Sequence, residues 1–88
     1  MVRITSIHLV GGEDHQHIQS VTWVNPANNE NGASNLQAMI TWLRSGGEAT
    51  VSVGGNTEQV QVVEGNMPHI QAFSGGAPTS SLLALPRY

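Results

Sequence analysis

Hydrophobic and polar positions alternate along much of this chain with the period of a β-strand. Residues 2–10 are rich in β-branched side chains and predict a first strand, whose apolar positions change parity between Ile4 and Ile7. That change indicates a bulge or a strand covered on both faces. Residues 17–25 predict a second strand, and the glycine turn at residues 11–14 favours a hairpin between the two.

A helical period appears once, in residues 34–45. Its apolar side chains recur at i, i+3, i+4 and i+7, which places them on one helix face: Leu36, Met39, Ile40 and Leu43. Ser34 followed by Gln37 is a capping-box pattern, and Gly46 then favours the end of the helix. The preceding residues 26–33 lack an apolar run and predict a loop.

The second half of the chain returns to the strand period. Strands are predicted at residues 49–53, 59–62 and 69–73, with glycine-containing turns between them. The predicted order is therefore β-β-α-β-β-β in a single domain spanning residues 1–88. Short links between consecutive strands favour a largely antiparallel sheet covered by one amphipathic helix, which is an α+β two-layer sandwich.

Composition adds an expectation about association. Charged residues make up 10% of the chain, against roughly 25% in an average globular domain, and lysine and cysteine are both absent. A surface with so little charge gains little protection from repulsion between molecules, which favours a homo-oligomer.

The net charge of -3 and the scattered arginines (Arg3, Arg44 and Arg87) argue against a nucleic-acid partner, because such binding needs clustered positive charge. No apolar run approaches the ~20 residues of a membrane span, and the first residues lack the order of a signal peptide. We therefore expect no membrane association and a cytoplasmic protein.

The histidines are the one concentration of metal-binding side chains. His15 and His17 are two positions apart, so in an extended chain both would project from one face and could bind the same metal ion, with His69 or Asp14 as a further ligand. Zinc or another divalent cation needs three or four such donors. The alternative is that these histidines form ordinary hydrogen bonds in a turn and along a strand edge.

The remaining candidates are aromatic and cationic side chains. Trp23, Arg44, Arg87 and Tyr88 could contribute to a ligand site or a subunit interface, with the arginines binding an anionic group. No nucleophile stands in a recognisable catalytic motif, so neither enzymatic activity nor a cofactor is expected. The apolar run at residues 82–85 should dock on the body of the protein or on a neighbouring subunit.

Two segments carry a family resemblance: the His-x-His-Ile sequence at residues 15–18 and the Leu-Leu-x-Leu-Pro-Arg sequence at residues 82–87. With these motifs the chain resembles a family of small bacterial and phage-borne domains of unknown function. In that family acidic residues usually follow the last strand, whereas Ser74–Gly76 and Ser80-Ser81 stand there in this chain. The resemblance implies domain boundaries and no activity.

Three functions follow from these observations. The leading hypothesis is a small non-enzymatic binding or interaction module that acts as a homo-oligomer, with the apolar tail and the face carrying Trp23 as contacts to itself or to a host protein. The second is a metal-binding protein that uses the His-x-His segment. The third is a phage-type counter-defence protein that sequesters a small anionic or nucleotide ligand.

Overall fold

The computed structural model describes all 88 residues. The first half of the chain forms three strands and the α-helix: β1 (Val2–Leu9), β2 (Ile18–Asn25), β3 (Glu30–Asn35) and α1 (Leu36–Arg44). The second half forms four strands: β4 (Ala49–Val53), β5 (Asn56–Val63), β6 (His69–Ser74) and β7 (Ala77–Thr79). A first 3-10 helix (His15–His17) precedes β2, and a second (Ser81–Ala84) follows β7.

All seven strands belong to one mixed sheet in the order β3-β2-β1-β4-β5-β6-β7. The predicted fold class, an α+β sandwich of order β-β-α-β-β-β with a largely antiparallel sheet, is therefore wrong. The pattern did not predict β3, which precedes the helix, or β7, the last strand of the chain. In addition, β1 runs parallel to β4. A parallel pair needs a crossover connection, which the helix and the strands between β1 and β4 provide.

The hairpin of β1 and β2 and its bulge are confirmed. The two strands pair antiparallel, and their register shifts between Ile4 and Ser6. Ile4 pairs with Trp23 and Ile7 with Val21, so the extra residue keeps both isoleucines on the same face of the sheet.

The predicted loop at residues 26–33 is wrong in its second half, because β3 begins at Glu30 and pairs along its whole length with β2. The turn before it is a compact one in which the side chain of Asn28 accepts the backbone N–H of Glu30, and Asn29 adopts a positive φ of 59°. Strand β3 contains no large apolar residue, and pairing with β2 rather than intrinsic propensity determines its conformation.

The helix cap lies one residue later than predicted. Asn35 is the N-cap, and its side-chain oxygen accepts the backbone N–H of Ala38 at 2.8 Å. The apolar face of the helix is confirmed, with Met39 and Ile40 buried and Leu36 and Leu43 partly buried. With nine residues α1 is the longest helix, and no helix is long and apolar enough to span a membrane.

One face of the sheet, here called the core face, carries the buried side chains of the strands. Every one of the fourteen buried residues is hydrophobic: Val2, Ile4, Ile7, Ile18, Val21, Met39, Ile40, Ala49, Val51, Val60, Ile70, Ala72, Leu82 and Leu85. Helix α1 contacts β2 and β3 on one side of the central strands and β5 and β6 on the other. The opposite, outer face of the sheet is mostly polar.

The C-terminal segment docks on its own chain. Leu82, in the second 3-10 helix, is fully buried, and Leu85 is 9% exposed. Beyond Leu85, the N–H of Ile7 donates to the carbonyl of Pro86 at 3.0 Å, and the N–H of Tyr88 donates to the carbonyl of Ile7 at 3.2 Å. These bonds cover the part of β1 that β4 does not reach. Of the two predicted docking sites for the tail, the structure shows the body of the protein.

Shortening Leu82 to alanine should destabilise the protein by about 2–5 kcal/mol, because it removes a fully buried side chain and leaves a cavity. The half-buried neighbour Leu83 is the matched control, and Leu83→Ala should cost less. Urea unfolding followed by circular dichroism measures both. Equal losses in the two variants would contradict the docking of the tail described above.

Candidate functional site

Trp23 lies on the core face of β2, opposite Gly32 of β3. Because glycine has no side chain, the indole ring lies across β3 at this point, and a Cβ at Gly32 would come within 2.8 Å of the ring. The indole N–H donates to the hydroxyl of Ser34 at 3.1 Å. The ring and the N–H of Trp23 are thus both fixed.

Trp42 is held in a similar way at the end of the helix. Its ring packs on the backbone of Gly47, where a Cβ would lie 2.3 Å from two ring carbons. The N–H of Gly47 also donates to the carbonyl of Trp42 at 3.0 Å. The turn that ends the helix is therefore shaped to the indole ring.

The two tryptophans line a common depression between α1 and the β2–β3 hairpin, which we call the tryptophan cleft. Its volume is about 420 Å³, and its lining consists of Val2, Trp23, Asn25, Glu30, Ser34, Ala38, Met39 and Trp42. The apolar side chains contribute most of the lining, and Glu30 is the only charged residue in it. Such a cleft can hold a flat apolar group with a polar or cationic edge.

Of the residues that line the cleft, sequence analysis named only Trp23 as a candidate site residue. It missed Glu30 and Ser34 because the pattern placed Glu30 in a loop and Ser34 at a helix cap. The sequence does contain a signal for strand β3. Pro26-Ala27 followed by two asparagines is typical of a tight turn, and a turn there favours a strand pairing with β2.

Arg44 lies outside the cleft and is bound to a carboxylate. Its guanidinium donates to both oxygens of Glu64, from Nε at 3.1 Å and from Nη2 at 2.5 Å. The side-chain hydrogen bond raises the pKa of Arg44 and holds the pKa of Glu64 below its usual range. The predicted anion-binding arginine is thus already occupied by an acidic partner.

Arg87 and Tyr88 anchor the tail to β1 and its surroundings. Arg87 donates to the carbonyl of Leu83 at 2.8 Å and lies 3.6 Å from a carboxylate oxygen of Glu13. The Tyr88 hydroxyl is hydrogen-bonded to Ser20 at 2.8 Å, and its ring lies against His8 with ring centroids 5.4 Å apart. Neither residue contacts the tryptophan cleft.

The structure brings two of the three predicted metal-binding histidines together. The rings of His15 and His69 are 6.3 Å apart, whereas His17 packs against the Gly11-Gly12 turn. The segment is a 3-10 helix, in which residues two apart project in different directions, and not the extended chain that the prediction assumed. No group of three His, Cys, Asp or Glu residues is placed to hold a metal ion.

Burial lowers the pKa of His15, the neighbouring His69 lowers it further, and Asp14 opposes both effects. The Nε2 atom of His15 is buried without a hydrogen-bond partner. The folded protein therefore favours the neutral imidazole, and charging it works against folding.

The free energy of unfolding should fall as the pH drops below roughly 6.5, the ordinary pKa of histidine, and level off below the lowered pKa of the folded state. The reason is that the unfolded chain binds the proton more readily than the folded one does. Urea midpoints measured at neutral pH and at mildly acidic pH should therefore differ less in His15→Gln than in the unmodified protein. An identical pH dependence in both proteins would contradict this account.

Gly47→Ala should displace the ring of Trp42 and destabilise the protein by about 1–3 kcal/mol, the usual cost of overpacking. The contact responsible can be isolated with a double-mutant cycle, measured by urea unfolding. In the Trp42→Ala background the same glycine substitution should cost far less, because the colliding ring is gone. An unchanged cost there would place the strain in the backbone and contradict the packing of Trp42 on Gly47.

Comparison with known proteins gives no match: no family model, curated protein or solved structure is significantly similar to this chain. The resemblance to the family with the His-x-His-Ile and Leu-Leu-x-Leu-Pro-Arg segments stays a prediction. The functional argument therefore depends on the geometry of the chain itself.

Proposed function

We propose that this protein is a small non-enzymatic interaction module that acts as a homo-oligomer, and that two copies associate through the outer edge of β3. The observation that carries the proposal is an edge strand that lacks most of the usual devices against pairing. Strand β3 is the first strand of the sheet and hydrogen-bonds only with β2, so its other edge presents a row of backbone groups to solvent.

The sequence of β3 has few of the features that usually protect such an edge, and its one charged residue, Glu30, lies at the end of the strand. Its six residues contain neither lysine nor proline, and its register with β2 is continuous from Glu30 to Asn35, without a bulge. The side chains on the outer face are small or uncharged, and Asn31, Ala33 and Asn35 are all exposed. A second strand could therefore approach without a steric or electrostatic obstacle.

The opposite edge of the sheet provides the contrast. Strand β7 is only three residues long, and its central residue, Pro78, has no backbone N–H to donate. A short strand with proline is a common means of preventing edge pairing. Of the two edges of this sheet, only β3 is suited to accept a partner strand.

A second copy of the chain fits this edge. Two β3 strands related by a two-fold axis perpendicular to the sheet run antiparallel, which continues the sheet into the partner. Glu30, the only charged residue of β3, lies at one end of the strand, so the two carboxylates lie at opposite ends of the pair and do not repel each other. The low charge content of the chain further reduces repulsion between copies.

Metal binding and sequestration of an anionic ligand stay predictions, since no comparable observation supports them. The three histidines do not converge, and Arg44 and Arg87 each face a carboxylate of the same chain. The cytoplasm stays the predicted compartment.

Light scattering after size-exclusion chromatography should give a mass twice the 9.3 kDa of one chain at high micromolar concentration. Ala33→Lys should shift the protein to monomer, because two lysines would meet near the two-fold axis. Ser52→Lys is the matched control, since it adds the same charge at an exposed position of the central strand β4. This variant should remain dimeric.

Three outcomes would overturn the proposal. A monomeric unmodified protein excludes self-association under these conditions. A dimer that survives Ala33→Lys excludes the β3 edge, and dissociation by Ser52→Lys shows instead that the outer faces of two sheets pack together.

A further inference from the structure

We propose that the tryptophan cleft binds a small organic cation with a flat, apolar body. This inference goes beyond self-association, because the cleft is formed entirely within one chain. The two proposals share strand β3, but the dimer uses its backbone edge and the cleft uses the side chains of its core face. Three features of the cleft support this inference: its shape, the rigidity of its walls and the sign of its charge.

The size and lining of the cleft suit a small molecule. A volume of about 420 Å³ lies within the range of roughly 300–1,000 Å³ found for ligand sites. Two indole rings and the thioether of Met39 provide a large apolar and polarisable surface. The polar groups of Asn25 and Ser34 lie among these walls and could fix the orientation of a ligand.

The aromatic walls are held in place before any ligand arrives. Ser34 accepts the N–H of Trp23, and Gly32 gives that ring room across β3. Trp42 is seated on Gly47. Since neither ring has to be ordered on binding, the entropic cost of association is reduced.

Charge decides between a cationic and an anionic ligand. Glu30 is the one charged residue that lines the cleft, and no basic residue lines it. Arg44, on the same helix as Trp42, does not line the cleft and is hydrogen-bonded to Glu64. The faces of indole rings carry partial negative charge and attract cations, so the rings and the carboxylate favour the same sign of ligand.

The test uses three probes with the same bicyclic body and different charge: N-methylquinolinium, quinoline and quinoline-2-carboxylate, at neutral pH, where quinoline is uncharged. Trp23 and Trp42 are the only tryptophans of the chain, so the two indole N–H signals in a ¹⁵N–¹H correlation spectrum report directly on the cleft. N-methylquinolinium should shift both signals and bind about fivefold more tightly than quinoline. The carboxylate should bind most weakly.

Glu30→Gln should reduce the advantage of N-methylquinolinium over quinoline to the part that the indole rings supply, and should leave quinoline binding unchanged. Asp14→Asn is the matched control, because it removes the same charge at the far end of β2 from Glu30 and should keep the preference for the cation. Binding should also persist in Ala33→Lys, which separates this inference from the dimer.

The inference is overturned if none of the probes shifts the indole signals, or if the cation has no advantage over quinoline. It is also overturned if the advantage is undiminished in Glu30→Gln, because the carboxylate then takes no part in selecting the ligand. An equal reduction in Asp14→Asn overturns it as well, since the net charge of the protein and not the cleft would then select the ligand.

Discussion

Backbone hydrogen bonding along both edges of β1 is the constraint on which the rest of the structure depends. One edge pairs antiparallel with β2, while the other is shared between β4, which runs parallel to β1, and the C-terminal segment around Arg87. Because the chain must cross over to bring β4 beside β1, the helix has to pass over the core face. Its position there creates both the core and the tryptophan cleft.

The two proposed surfaces follow from this arrangement. The first hairpin is extended outwards by β3, whose outer edge is left open at one end of the sheet, whereas β7 and Pro78 protect the other end. The same strand contributes Glu30 and Ser34 to the cleft and leaves room at Gly32 for Trp23. A stretch without a large apolar residue thus supplies the open edge and most of the polar lining of the cleft.

Sequence patterns predicted the elements whose side chains are buried. The helix face with Met39 and Ile40, the bulge between Ile4 and Ile7 and the strand at residues 49–53 all leave an apolar period that can be read directly. Strand β3 has no apolar period, because backbone pairing with β2 rather than burial of apolar side chains holds it in place. The prediction that His15 and His17 project from one face is also wrong. Residues two apart share a face in a strand, whereas in a 3-10 helix they project in different directions.

By itself the sequence determined the apolar face of the helix, where the helix lies and how little charge the chain carries, since these depend on local periodicity and composition. The tertiary structure alone decided the parallel pairing of β1 with β4, the docking of Leu82 within its own chain and the meeting of Trp23 with Trp42. These contacts join residues far apart in the chain, and no local pattern encodes which distant backbone edge or ring a residue will meet. The cleft and the open edge of β3 both belong to this second class.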